Sequence, residues 1–183
     1  MRSTIIYFEE GGEANTEAVL DIVYERFRKG DINAVVVAST FGKTALSAAE
    51  KFISEKTSLL IVGEVLKGEQ SPPQNICQQL IEQGHRVIWG LPMGQMSKFS
   101  RENTPVAIAD AYKRISEGFK VVCEVVLISA NSGYLKKGDK VIAIAGTHRG
   151  ADTAIVAKAS GYEDFKSFEV LEILCKPYQR SAE

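Results

Sequence analysis

Short runs of β-branched, apolar residues alternate along this chain with stretches of helical periodicity. The clearest run is Ala34–Ala38 (AVVVA), which is apolar at every position. Such continuous apolarity is typical of a strand that is covered on both faces, as in a parallel sheet flanked by helices. The repeated strand–helix order therefore predicts an α/β fold of three layers, in which helices cover both faces of an open, mostly parallel sheet.

Turn residues and hydrophobic spacing divide the chain into its predicted elements. Strands are predicted at residues 4–8, 34–38, 58–62, 86–89 and 141–145, and an edge strand at residues 168–175. Helices are predicted to begin at Asn15 or Thr16, after Thr44, at Ser71 with Pro72, and at Thr104, with another over residues 150–160. Residues 121–129 fit either a strand or a helix, and their four valines favour a strand.

Bulk properties restrict the classes of function. The 183 residues fit one domain, residues 1–183, and the net charge of −1 gives no general attraction to nucleic acid or to anionic membranes. No apolar stretch approaches the roughly 20 residues that span a bilayer. Three widely spaced cysteines in apolar surroundings indicate buried free thiols, no metal site and a cytoplasmic location. Whether the chain forms a homo-oligomer is left open.

A first glycine-containing loop follows the strand at residues 34–38 and leads into an alanine-rich helical pattern. It contains Ser39, Thr40, Gly42, Lys43 and Thr44. Hydroxyl groups, a cation and the free N–H groups at a helix start suit a phosphate group. The segment is not a Walker A motif, because that motif requires a glycine five positions before Gly42, where this chain has valine. An ordinary turn with a threonine cap is the alternative.

A second loop repeats this design after the strand at residues 141–145. Its candidate binding residues are Gly146, Thr147, Arg149, Gly150, Ala151 and Asp152. A guanidinium group can hold a phosphate through paired N–H donors. Asp152 could instead cap a helix or accept a hydrogen bond from a ligand hydroxyl group.

Both loops are expected at the same edge of the sheet. Ligands of open α/β sheets bind beyond the carboxyl ends of the strands. Asn15 and Thr16 follow the first strand and would border the same edge, either as helix caps or as ligand contacts. We therefore expect the two loops to converge on one anionic ligand.

The same segments carry a family resemblance. Residues 34–45 (AVVVASTFGKTA) and 137–146 (KGDKVIAIAG) resemble segments of the C-terminal α/β domain of pyruvate kinase. The match is closer to a family of stand-alone, mainly archaeal proteins with this domain fold. Residues 146–154 (GTHRGADTA) resemble the signature loop of that family, and residues 15–17 also fit.

The resemblance implies a three-layer fold like that of the pyruvate kinase C-terminal domain, with a mostly parallel sheet and an antiparallel edge strand. It does not imply pyruvate kinase activity, because that enzyme's catalytic barrel is a separate domain. In the stand-alone family the implied cofactor is flavin mononucleotide (FMN), bound by its phosphate and its ring at the strand ends. We therefore expect FMN binding, with any redox chemistry supplied by the flavin. The alternatives are a non-catalytic sensor of a sugar phosphate or nucleotide and, with no convincing nucleophile or metal site, a phosphate-ester hydrolase.

Overall fold

In the described residues, the central sheet contains eight strands, whose order in the sheet differs from their order in the chain. The structure is a computed structural model that describes residues 3–55, 57–66, 69–90 and 104–179. The strands are β1 (Ile6–Phe8), β2 (Ala34–Ala38), β3 (Leu59–Leu66), β4 (Glu69–Ser71), β5 (Arg86–Trp89), β6 (Lys140–Ala145), β7 (Thr153–Lys158) and β8 (Glu169–Pro177). Their order is β1-β8-β7-β6-β2-β3, and β3 then pairs with both β4 and β5.

Most of the sheet is parallel. The pairs β1–β8, β6–β2, β2–β3 and β3–β5 are parallel, whereas β4 lies antiparallel to the end of β3. Strand β7 is antiparallel to both of its neighbours. The mostly parallel sheet is therefore confirmed, and β4 is its antiparallel edge strand.

Helices cover both faces of the sheet. They are α1 (Thr16–Phe27), α2 (Lys43–Lys51), α3 (Gln74–Glu82), α4 (Thr104–Lys113) and α5 (Glu117–Asn131). Buried residues of α1, α2 and α3 pack on one face of the sheet, and those of α5 pack on the other. Alternate strand residues point to opposite faces, so that Val35 and Val37 join the first core and Val36 joins the second. This arrangement confirms the three predicted layers.

Residues 150–160, predicted as a helix, instead contain the strand β7. Five of its six residues are buried, and it pairs with β6 from Thr153–Ala145 to Lys158–Lys140. Because β8 pairs with its other edge, β7 gains hydrogen bonds on both sides. This pairing, together with the burial of Ile155 and Val156, outweighs the modest helix preference of the neighbouring alanines.

Residues 121–129, for which a strand was favoured, lie within α5. The helix begins after Ser116, whose hydroxyl group accepts a hydrogen bond from the backbone N–H of Phe119 at 2.9 Å. Val122 and Val126, four residues apart, are fully buried on the same side of the helix. The valines are tolerated because burial against the sheet matters more than their weak helix propensity.

Two further boundaries differ from the prediction. Ser71 does not cap α3: it belongs to β4, its hydroxyl group donates to the carbonyl oxygen of Thr40, and the helix starts at Gln74. Strand β8 is not an edge strand, since it lies between β1 and β7. No helix in the described part of the chain has the length and apolar content that crossing a membrane requires.

The three cysteines are free and buried, as predicted. Burial is the main cause that raises their pKa values, to about 12 for Cys175. The thiols are therefore protonated at neutral pH and poorly nucleophilic.

Candidate functional site

The two glycine-containing loops leave neighbouring strands at the same edge of the sheet. Strand β2 lies between β6 and β3 and runs parallel to both. The loop after β2 contains residues 39–42, and the loop after β6 contains residues 146–152. Parallel pairing of these strands therefore places the loops side by side, as the sequence predicted.

A cavity of about 670 Å³ opens between these loops and α5. The polar residues in its lining are Glu13, Thr16, Glu17, Ser39, Thr40, Lys43, Thr44, Ser47, Glu64, Lys120, Glu124, His148 and Arg149. The apolar and glycine residues are Ala38, Phe41, Val62, Gly63, Gly90, Val121, Val125, Ile128, Gly146 and Gly150. Each predicted loop contributes to this one lining.

The first loop leaves donors free at the start of α2. Gly42 has a φ of 87°, in the left-handed region, and the helix begins at the next residue. The backbone N–H of Ala45 is 3.4 Å from Ser39 Oγ. The backbone N–H groups of Lys43 and Thr44 donate to no residue in the described ranges. Two N–H groups at the positive end of the helix therefore face the cavity region.

The second loop, residues 146–152, uses the backbone N–H groups of Thr147, Arg149, Ala151 and Asp152 in hydrogen bonds within the protein. The N–H of Thr147 donates to Asp152 Oδ2 at 2.8 Å, and that of Ala151 to Thr16 Oγ1 at 3.0 Å. The N–H of Arg149 donates to the carbonyl oxygen of Thr147. The N–H groups of Gly146, His148 and Gly150, three residues of the lining, donate to no residue in the described ranges, so that this loop offers backbone donors as well as the Arg149 side chain. His148 adopts a φ of 61°, which turns the chain sharply at this point.

Asp152 joins the second loop to the loop after β1. Its carboxylate is fully buried and accepts hydrogen bonds from the N–H of Gly12 at 2.8 Å and of Thr147. Its other oxygen accepts from the hydroxyl group of Thr153 at 2.7 Å. These three bonds fix the positions of both loops around the cavity.

Two contacts link the loops across the cavity. Lys43 forms an ion pair with Glu13, and the guanidinium carbon of Arg149 lies 5.3 Å from the ring centroid of Phe41. The hydrogen bond and charge of Lys43 hold the pKa of Glu13 below its ordinary value, and Arg149 adds a smaller effect. Arg149 forms no ion pair with a residue in the described part of the chain. It is therefore the lining cation best placed to meet a ligand anion.

The wall opposite the loops is formed by α5. Val121, Val125 and Ile128 give it an apolar surface, next to an ion pair in which Lys120 Nζ lies 3.0 Å from Glu124 Oε2. Within residues 3–55, 57–66, 69–90 and 104–179, no group of three or more His, Cys, Asp or Glu side chains could hold a metal ion.

Eight of the thirteen predicted binding residues line the cavity: Thr16, Ser39, Thr40, Lys43, Thr44, Gly146, Arg149 and Gly150. The hydroxyl groups of two of them already donate within the protein. Thr16 Oγ1 donates to the carbonyl oxygen of Glu13 at 2.7 Å, and Thr40 Oγ1 donates to Glu64 Oε1 at 2.8 Å.

The remaining five, Asn15, Gly42, Thr147, Ala151 and Asp152, lie outside the lining, and their direct contact with a ligand stays a prediction. The side-chain amide of Asn15 donates to the carbonyl oxygens of Glu10 and Gly12. Thr147 and Ala151 are buried, as is Asp152. These residues shape the loops that carry the lining.

The sequence reasoning missed the wall that α5 contributes. Lys120, Glu124 and Ile128 recur every four residues, which is the spacing of one helix face. This signal was obscured because the valines of the same segment favoured a strand. Ser116, four residues before Lys120, was the available helix-start signal.

A comparison with known families adds to this geometry. Residues 17–157 match the pyruvate kinase alpha/beta domain family. The match covers more than half of the chain and extends from α1 to β7, so that it includes both loops and α5. This chain therefore belongs to the family of pyruvate kinase alpha/beta domains.

Proposed function

We propose that the cavity binds a phosphorylated ligand, and that this ligand is FMN. The observation that carries the proposal is the convergence of Arg149 and the start of α2 on one cavity with an apolar wall. Cavities of about 300–1,000 Å³ accommodate ligands of this size. The residues present therefore suit a molecule with an anionic end and a flat apolar body.

The phosphate group would lie between the start of α2 and Arg149. The N–H groups of Lys43 and Thr44 supply neutral donors and the helix supplies a partial positive charge. Arg149 supplies a cation that forms no ion pair with a carboxylate in the described part of the chain. Glu13 also lies at this end of the cavity, where its ion pair with Lys43 offsets its repulsion of a phosphate group.

The isoalloxazine ring would lie against the apolar part of the lining. Val121, Val125 and Ile128 form one surface, and Val62 lies at the end of β3. A bound flavin supplies hydride or electron transfer, whereas the protein binds it, orients it and excludes water.

The test is a titration of the purified protein with FMN, followed by flavin fluorescence, with riboflavin as the matched ligand that lacks the phosphate group. We expect FMN to bind at least about tenfold more tightly than riboflavin, because the phosphate adds charge-assisted hydrogen bonds. Equal affinities for FMN and riboflavin would show that the phosphate group does not contribute to binding, which would contradict this part of the proposal. Binding of a sugar phosphate without any binding of FMN would favour a sensor instead.

Arg149→Ala tests the same site by a change in the protein instead of a change in the ligand. Loss of one charge-assisted hydrogen bond costs about 1.5–3 kcal/mol, so that the affinity for FMN should fall about tenfold or more. Arg28→Ala is the matched control, since Arg28 is exposed and does not line the cavity. An equal loss in both variants would contradict a specific role for Arg149.

A further inference from the structure

An acidic residue joins the two loops at the end of the cavity that is proposed to hold the phosphate group. The backbone of Glu13 lies against the second loop, because a Cβ atom built on Gly150 would overlap with Glu13 Cα. The carbonyl oxygen of Glu13 accepts a hydrogen bond from Thr16 Oγ1 at 2.7 Å, and Thr16 Oγ1 accepts one from the backbone N–H of Ala151. Glu13 is therefore held at the second loop through its backbone.

The side chain of Glu13 reaches from the second loop to the start of α2. Its carboxylate forms the ion pair with Lys43, the first residue of that helix, and both residues line the cavity. The hydrogen bond and charge of Lys43 lower the pKa of the Glu13 carboxyl, and the charge of Arg149 adds to this effect. The carboxylate therefore lies among the positive groups that border the proposed phosphate position.

The ion pair between Glu13 and Lys43 is open to solvent. The side chains of Lys43 and Glu13 are 80% and 43% exposed, and exposed ion pairs add little to stability. A phosphate group bound between Arg149 and the start of α2 brings further negative charge to this place. Because like charges repel, the phosphate group and the carboxylate compete for the cation of Lys43.

We propose that the carboxylate of Glu13 is an internal counter-ion, which the phosphate group of the ligand displaces from Lys43. This inference rests on the proposed function, since it requires a phosphate group at this end of the cavity, and it adds a residue that limits the affinity. Lys43 exchanges one anionic partner for another, and the Glu13 side chain turns away while its backbone stays in place. Removal of the carboxylate should therefore strengthen the binding of phosphate. A carboxylate that positions Lys43 for the ligand would have the opposite effect.

The test titrates wild type, Glu13→Gln and Glu13→Ala with two probes, FMN by flavin fluorescence and inorganic phosphate by calorimetry. Glutamine keeps the length of the side chain without its charge, alanine removes the side chain, and both keep the backbone contacts of Glu13. We expect both variants to bind both probes at least about threefold more tightly than wild type, because the charge of Lys43 becomes available to the probe.

Glu17→Gln is the matched control for the change in charge. Glu17 also lines the cavity, but Lys43 is paired with Glu13 instead. This variant should bind both probes within about twofold of wild type, since the solvent and its ions screen charges that are not in contact.

The outcomes separate this inference from the proposed function. If FMN binds to wild type and the Glu13 variants bind it equally or more weakly, Glu13 does not compete with the ligand and the inference is overturned, while the proposed function stands. An equal gain in Glu17→Gln would also overturn it, because the gain would then come from net charge. If inorganic phosphate shows the expected gain but no variant binds FMN, the inference stands and FMN is the wrong ligand. If neither probe binds to any of these proteins, both proposals fail.

Discussion

At the scale of single residues, the carboxylate of Asp152 is central to the site although it does not line the cavity. It accepts hydrogen bonds from the backbone N–H groups of Gly12 and Thr147 and from the hydroxyl group of Thr153. Gly12 and Asp152 are 140 residues apart in the chain, so that their hydrogen bond holds the loop after β1 against the second loop. These bonds give Asp152 a structural function, whereas its contact with a ligand stays a prediction.

Asp152→Ala is expected to destabilise the protein by about 3 kcal/mol or more, because it leaves buried N–H donors without an acceptor. Asp139→Ala is the matched comparison, since Asp139 accepts one exposed N–H from Lys136. Its cost should be about 1 kcal/mol or less. Urea unfolding of both variants measures the difference, and similar losses would contradict the structural role of Asp152.

The sequence identified residue types better than it identified their partners. Arg149 was chosen for its charge, and it does line the cavity. Asp152 was chosen on similar grounds, but its acceptor capacity is used by backbone groups from a distant loop. No pattern near Asp152 could reveal a donor at Gly12, because that contact depends on the tertiary fold.

At the scale of elements, the start of α2 is fixed by its contact with α3. Gly42 has a φ of 87°, and a Cβ atom built there would lie 2.6 Å from Ile76 Cγ2. Glycine is needed both for the backbone conformation and for this close approach. The close neighbour at Gly42 is α3, and the predicted contribution of Gly42 to ligand binding stays a prediction.

Gly42→Ala should therefore cost more stability than Gly84→Ala. Both positions have a positive φ, which costs about 1–2 kcal/mol for alanine, but a Cβ at Gly84 would meet open space. Overpacking against Ile76 should add about 1 kcal/mol or more. Thermal or urea unfolding of the two variants gives the comparison, and equal costs would show that the Ile76 contact is readily relieved.

Elements were predicted well where local signals and tertiary pairing agree. The bounds of β2 and β5 match the predicted strands. The alanine-rich β7 and the valine-rich α5 were mistaken for each other's class, because their local preferences are weak. The secondary structure of these segments is instead set by the pairing of β7 with two strands and by the burial of α5 against the sheet.

At the scale of the whole molecule, the candidate site depends on segments far apart in the sequence. The lining takes residues from the loops after β2 and β6, from the region before α1, and from α5. The parallel arrangement of β2 and β6 could be predicted from the sequence, and it implies that the two loops lie at the same edge of the sheet. The α5 wall was not predicted, because a strand was favoured for residues 121–129 in spite of the helix-start signal at Ser116.

The central claim is that one ligand contacts the loop after β2, the loop after β6 and α5. The most direct measurement is an NMR titration of isotopically labelled protein with FMN, with backbone amides assigned. We expect saturable shifts at residues 39–44, at residues 148–150 and at residues 120–125, all with one dissociation constant. Shifts confined to one of these segments, or no saturable shifts, would contradict the claim.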